Sequence, residues 1–441
     1  MNRKFFSLLA LTAVLAACGR SDTPRLFFLG IDGASWVVMG PMLDAGELPN
    51  FARLRREGAV MPDFETMEPT SSPVVWTTVA TGRDPEDHGI GGFTDTLPSG
   101  DVIPVSGNSR KSKAIWEIAT ERGKSVGVIG WWASWPAEEV NGYVISDHAN
   151  PALSELFLKD RRYWTADPEE LAKLRRDFYP LDIAPTLAAS WLDKDEFPFE
   201  DVQLRSKISD EQVKRLQWAP WNQRTYYSFW KTVYTIDFPL FRIAMDLLEE
   251  RPVDLQMLYL RGPDPVQHYA WHLVEPEKFV RQSQNYERDR GLVEGVYRYL
   301  DGFLGELLDR LDPNTWLIVA SDHGAEPRED SMEPGTGGRP GTHGRDARGV
   351  LFLWGPHVRE GMTLDRGTPW DLMPTMAWLL DLPVSAELPG NSLTEAFETE
   401  FVDRKPVKMT GGYGPREALP SLTSDVDEKM LESLRALGYI D

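Results

Sequence analysis

Asp32, Asp264, Asp322, His268, His323, His343 and a hydroxyl from Thr70-Ser71-Ser72 are the residues whose types and grouping could do metal-assisted chemistry in this chain. They occur as short polar clusters in a fixed order. Asp32 ends the run RLFFLGI, Ser72 precedes Pro73, Asp264 and His268 share PDPVQH, Asp322 adjoins His323, and His343 precedes Gly344. Three carboxylates, three imidazoles and one hydroxyl suffice to hold two divalent cations and one nucleophile. Carboxylates combined with imidazoles favour zinc over magnesium or calcium, with manganese as the alternative. A hydroxyl is a weak nucleophile at neutral pH, and metal coordination is one way to activate it. Thr70, Ser71 and Ser72 all compete for that role, and each has a simpler reading as a helix cap.

Spacing adds some detail. Asp264 and His268 are four apart, so one helical turn places both on one face. Asp322 and His323 are adjacent at the end of an apolar run, where a turn can converge them. Of the remaining histidines, His88 in DHGI reads as a loop-ordering residue and His272 as a helix-surface residue. His148 and His357 have no partner evident from sequence.

These groups need elements to position them. Arg25 to Ile31, Leu255 to Leu260 and Trp316 to Ala320 are short apolar runs, read as buried strands that end just before Asp32, Asp264 and Asp322. Ser125 to Ile129, Tyr143 to Ser146 and Val350 to Trp354 are further strands. Leu48 to Glu57, Val74 to Ala80, Lys113 to Arg122, Leu292 to Leu311 and Asp371 to Leu382 read as helices, the last with Asp371 as its cap. Alternation of this kind implies an α/β chain with a largely parallel sheet covered on both faces. Chemistry in such sheets collects at the carboxyl ends of strands. Residues 151–250 break the rhythm with an aromatic-rich helical stretch, read as an inserted cap whose rings mostly pack a small core of its own. The expected organisation is core over 25–150 and 251–397, and a tail over 398–441 packing on that core.

Residues 1–17 have a basic start, a short apolar stretch and small residues, the pattern of an export signal. Leu-Ala-Ala-Cys resembles the bacterial lipoprotein processing box, making Cys18 a lipidated first residue and 18–24 a tether. Cys18 is the only cysteine, so no intrachain disulfide is available. The expectation is a lipid-anchored exported protein; its place at the periplasmic face of the outer membrane or the cell surface follows from the resemblance alone. Without residues 1–17 the chain carries 45 basic against 68 acidic residues, a formal −23. Such a balance argues against a nucleic-acid polymer as partner. A small phosphorylated substrate would be drawn by local positive charge, which bound metals can supply.

The clusters together resemble the type I phosphodiesterase and nucleotide pyrophosphatase branch of the alkaline phosphatase superfamily. FLGIDGASW is similar to its first metal-binding strand and loop, SPVVWTTVATG with DPEDHGI to its nucleophile segment, and PDPVQH, SDHGA and GTHG to its remaining metal motifs. The closing LRALGYI is similar to the end of bacterial members. The resemblance implies a three-layer alkaline-phosphatase-like core. It implies one metal on Asp264, His268 and His343, and another on Asp32, Asp322, His323 and the oxygen of Ser72. It further implies in-line attack by Ser72, a phosphoseryl intermediate and its hydrolysis. One position departs. Where nucleotide pyrophosphatases place a phosphate-binding asparagine, this chain has Phe93, with Asn108, Thr94 or a backbone amide as replacements. The competing readings are a non-catalytic surface lipoprotein binding a phosphorylated glycan or lipid, and a phosphomonoesterase or phosphotransferase of the same superfamily.

Overall fold

A computed structural model describes residues 25–149, 175–190, 198–220, 224–279, 283–328, 339–424, 426–437 and 439–440. The expected signal segment, Cys18 and the tether lie outside these residues. Nine strands form the main sheet among the described residues: β1 (Arg25–Ile31), β2 (Ala59–Phe64), β3 (Val126–Ile129), β4 (Gly142–Ile145), β5 (Phe178–Tyr179), β6 (Leu255–Leu260), β7 (Thr315–Ala320), β8 (Gly349–Trp354) and β9 (Met362–Thr363). Their order is β9-β2-β8-β7-β1-β6-β3-β4-β5. The run from β7 to β4 is parallel, whereas β8 and the edge strand β5 run against their neighbours. An isolated apolar run does not reveal the direction of β8, because direction depends on which neighbours it pairs with.

Side chains along β1 alternate between two apolar layers, as the period of a strand requires. Phe27, Leu29 and Ile31 enter one cluster, and Leu26 and Phe28 the other. The first layer is built on helices α1 (Trp36–Asp44), α2 (Pro49–Glu57), α5 (Tyr226–Glu250), α6 (Asp264–Val274) and α7 (Leu292–Arg310). The second uses α3 (Ser72–Thr81), α4 (Ile115–Glu121), α8 (Pro369–Leu379) and α9 (Asp427–Leu437). The result is the expected three-layer α/β architecture.

Two local expectations change. Asp371 is not the cap of α8: Thr368 takes that place, and its backbone N–H and hydroxyl both donate to the Asp371 carboxylate, forming a capping box. Within 151–250 the described residues beyond β5 are mainly helical, but their rings do not form a separate small core. Tyr227, Phe229, Trp230, Tyr234 and Phe241 join the same apolar cluster as β1 and β7. Phe241 lies flat against Phe303 of α7, ring centres 4.1 Å apart. Trp218 is exposed, and Trp164, Trp191 and Trp221 lie outside the described residues.

The C-terminal tail follows a pinned path. Met409–Thr410 pairs with Val384–Ser385. Arg416 donates to Glu117, to the Arg110 carbonyl and to Glu138, and Arg110 donates to the same two glutamates. Two guanidiniums thus balance two carboxylates, with both arginine side chains almost fully buried. Arg416→Ala should leave two glutamates sharing one cation and lower unfolding free energy by about 3 kcal/mol. Denaturant unfolding measures this, and an unchanged midpoint would count against it.

Candidate metal and catalytic site

The three strands that lead into the acidic residues are neighbours. β1 lies between β6 and β7, with Ile31 opposite Leu260 and Gly30 opposite Ala320. Their carboxyl ends are therefore level, and the loops carrying Asp32, Asp264 and Asp322 leave the sheet side by side. These loops touch closely enough to require glycine. Gly33 has φ +71°, and a Cβ there would lie 2.6 Å from the Asp264 Cβ. Gly262, at φ +55°, faces the Asp32 carbonyl oxygen, which a Cβ would approach to 2.8 Å. The Gln267 amide then ties α6 to the Gly33 carbonyl at 2.7 Å, and Tyr297 links Gln267 to the Ser35 N–H.

The carboxylates share a pattern: one oxygen is held by a donor and the other faces the imidazoles. Asp32 Oδ2 accepts from Tyr259 OH at 2.5 Å and Trp76 Nε1 at 3.3 Å, while its Oδ1 is buried without a hydrogen-bond partner. Asp322 Oδ1 accepts from the Gly33 N–H at 3.2 Å, and its Oδ2 has none. Asp264 Oδ2 accepts from Tyr439 OH. Its Oδ1 lies 3.3 Å from His268 Nε2 and 4.0 Å from His343 Nε2.

The imidazoles are prepared in the same way. His268 Nδ1 donates to the Gly341 carbonyl at 3.0 Å and His323 Nδ1 to the Gly324 carbonyl at 2.9 Å. The Nε2 of each is buried without a hydrogen-bond partner. Metal-binding histidines characteristically fix their orientation through such a carbonyl. His343 stacks on His323 with ring centres 3.8 Å apart. Two groupings follow, Asp264 with His268 and His343, and Asp32 with Asp264 and His323, each with ligand atoms within 4.8 Å. Asp264 belongs to both. Asp322 Oδ2 lies 3.3 Å from His323 Nε2.

Electrostatics points the same way. Burial raises Asp32 well above the usual carboxylate range, reinforced by Asp322 and Asp264. Burial raises Asp322 to about 6 against the pull of His323. Burial opposes a proton on His323, but the surrounding aspartates, Asp322 first, outweigh it and lift the ring to about 9. Burial pulls His268 down to about 4 and His343 well below the imidazole range. Burial also works against charge on Asp264, yet the imidazoles hold it at about 2. Three acidic groups in a dry site thus recruit positive charge from within the protein.

Helix α3 places the hydroxyls. Trp76, the donor to Asp32, lies one turn beyond Ser72 on the same helix face. Thr70 Oγ1 donates to the His343 carbonyl at 3.4 Å, so this hydroxyl already has a partner. Ser72 begins the helix and is 2% exposed. Ser71 is the N-cap but makes no side-chain capping bond, and its Oγ is buried without a partner. The two candidate substrate residues divide. Phe93 is buried and stacks on Tyr439. Asn108 donates its amide to the Pro420 carbonyl at 2.7 Å, so its side chain is committed to the C-terminal tail. Sequence reading missed Tyr259, Trp76 and Tyr439 as carboxylate partners. Trp76 and Tyr439 carried a signal, their places in SPVVWTTVATG and LRALGYI.

The model of the type I phosphodiesterase / nucleotide pyrophosphatase family matches residues 26–334, more than two thirds of the chain. The chain belongs to this family. Family members are metal-dependent hydrolases of small phosphorylated substrates, and this chain is a phosphoric ester hydrolase of the phosphodiesterase and pyrophosphatase type. Solved structures with a similar fold include murine ectonucleotide pyrophosphatase/phosphodiesterase 5 as an inactive variant in complex with AMP (14% identity, 85% of this chain and 98% of that chain, TM-score 0.48). The same murine protein without that description matches at 14% identity over 85% of this chain and 100% of that one, TM-score 0.48. The human protein matches at 14% identity over 86% and 99%, TM-score 0.47. No curated protein sequence matches.

Of the other histidines, His88 is fully buried, accepts from the Ile90 N–H at Nδ1 and pairs with Thr78 Oγ1 at 3.1 Å. It fastens the loop carrying Phe93 to α3. Burial, then the Arg110 cation, pulls its pKa down to about 3. The unfolded chain therefore binds a proton that the folded chain refuses, and this stabilisation is lost as pH falls from about 6.5 towards 3. Urea unfolding should show the advantage of the parent over His88→Gln shrinking across that window. A gap independent of pH would contradict the assignment. Gly33→Ala should displace the Asp264 loop and cost about 1–3 kcal/mol, read as a lower thermal midpoint with reduced phosphodiester turnover.

Proposed function

We propose that this chain hydrolyses phosphodiesters at a two-cation centre through a phosphoseryl intermediate. The observation that carries the reading is the set of bare, buried ligand atoms: Asp32 Oδ1, Asp322 Oδ2, His268 Nε2 and His323 Nε2. Polar atoms buried without partners are costly, and this donor set fits two divalent ions, zinc by its mixed nitrogen and oxygen character. Asp264, His268 and His343 would hold one ion, and Asp32, Asp322 and His323 the other, with Asp264 close to both. When bound, such ions offset phosphate charge and lower the pKa of a coordinated hydroxyl or water.

The chain's own residues do the rest. A serine hydroxyl at the start of α3 attacks phosphorus opposite the leaving alcohol, and water later releases the phosphoryl group from the serine. The backbone N–H groups of that helix end favour the negative charge of the phosphate. The resemblance of SPVVWTTVATG to the family's nucleophile segment favours Ser72. A second reading, Ser71, is favoured by its unused oxygen, since an N-cap serine ordinarily spends that atom on its own helix.

The formal charges favour a monoanionic diester over a dianionic monoester. Two dications against three carboxylates leave +1, and a serine alkoxide brings the total to zero. Purified protein should contain zinc and turn over bis-p-nitrophenyl phosphate faster than p-nitrophenyl phosphate. Equal rates would remove the diester preference, and a metal-free, inactive protein would favour a binding role. Ser71→Ala and Ser72→Ala should separate the two readings: the true nucleophile loses activity at least about a thousandfold, its neighbour far less.

The same proposal places the enzyme outside the cytoplasm, anchored through lipid on Cys18. Labelled fatty acid should be incorporated into the parent and not into Cys18→Ser.

A further inference from the structure

Tyr439 is the third-last residue of the chain, yet its hydroxyl donates to Asp264 Oδ2 in the middle of the acidic cluster. Its ring stacks on Phe93 at 4.6 Å with an interplanar angle of 12° and meets the edge of His268 at 5.5 Å. The Arg339 guanidinium also lies over the ring, 5.4 Å from its centre. Asp264 is the carboxylate common to both ligand groupings, so whatever orients it acts on the whole centre.

The comparison with Asp32 gives this contact its meaning. There Tyr259 OH takes Oδ2, leaving Oδ1 bare towards His323 Nε2 at 3.6 Å. At Asp264, Tyr439 OH takes Oδ2, and Oδ1 is the oxygen that faces His268 and His343. Two tyrosines thus play equivalent parts on two carboxylates, one from the central sheet and one from the chain's end.

We infer that Tyr439 is a positioning residue of the metal centre, delivered by the C-terminal tail, which orients Asp264 for the ion shared with His268 and His343. The tail is built for delivery. Arg416 pins it to Glu117 and Glu138, the Pro420 carbonyl takes Asn108, and Ser424 Oγ lies 3.3 Å from His148 Nδ1. Met430 and Leu434 of α9 then enter the second apolar layer. Phe93 supplies the flat face that Tyr439 rests on.

This inference rests on the two-cation reading, and zinc binding to the full-length metal-free protein separates the two. The probe is the zinc ion itself, titrated in competition with a chelating dye against the parent, Tyr439→Phe and Tyr439→Ala. Thermal unfolding of the metal-free proteins checks that each variant is folded. The parent should take up two equivalents. Tyr439→Phe, which keeps the ring and loses only the hydroxyl, should bind at least one of them ~10- to 100-fold more weakly, as should Tyr439→Ala. If only Tyr439→Ala weakens binding, the ring packs and the hydroxyl does not position Asp264, which overturns the inference. Tighter binding by Tyr439→Phe also overturns it, because the phenol would then compete with the ion. A parent that takes up no zinc brings down the two-cation reading and this inference together, whereas two equivalents bound equally by parent and Tyr439→Phe bring down this inference alone.

Discussion

The structure depends on keeping three carboxylates together out of water. Asp32, Asp264 and Asp322 are each at most 3% exposed, where mutual repulsion and lost hydration both oppose their charge. The protein meets this by giving each carboxylate a donor on one oxygen and aiming the other at an imidazole. Each donor comes from a different part of the chain: the Tyr259 phenol and the Trp76 indole for Asp32, the Gly33 amide for Asp322, the Tyr439 phenol for Asp264. Positive charge is the one remaining need, and it is also what a phosphate ester hydrolase must present to its anionic substrate.

Sheet order makes the gathering possible. Parallel neighbours end at the same level, so loops after β7, β1 and β6 emerge side by side without long excursions. Glycines at 33 and 262 then allow those loops to touch. The aromatic side chains behind the site form a continuous wall. Phe93 meets Trp132, Trp132 meets Tyr259, Tyr259 meets Trp76, and Trp76 meets Trp131, with ring centres between 5.1 and 6.2 Å apart. This wall packs around the two side chains, Tyr259 and Trp76, that hold Asp32.

The helical stretch between β5 and β6 illustrates how pattern can be read correctly while placement is not. Its aromatic richness marks buried rings, but rings do not say against what they pack. Tyr227, Phe229, Trp230 and Phe241 fill the layer beneath α7 and alongside the sheet, thickening the core that carries the site. Asn108 is a similar case. An amide near the right position in the chain is equally able to bind a phosphate or a carbonyl, and here the tail's Pro420 takes it.

The sequence alone determined the strand-then-aspartate theme, the Asp264 and His268 spacing, and the choice of imidazole and carboxylate, because these follow from local periodicity and residue chemistry. It also determined the α/β class, since alternating apolar periods of two and 3.6 are a property of contiguous residues. Only the tertiary structure decided which oxygen of each carboxylate is held and which is bare. It alone made Ser71 a cap with an unused hydroxyl, and it alone brought Tyr439 from the far end of the chain onto Asp264. Those features are relations between residues up to 289 positions apart, as Gly33 and Asp322 are, and the pairing of such distant groups is fixed by strand order and packing rather than by any local pattern.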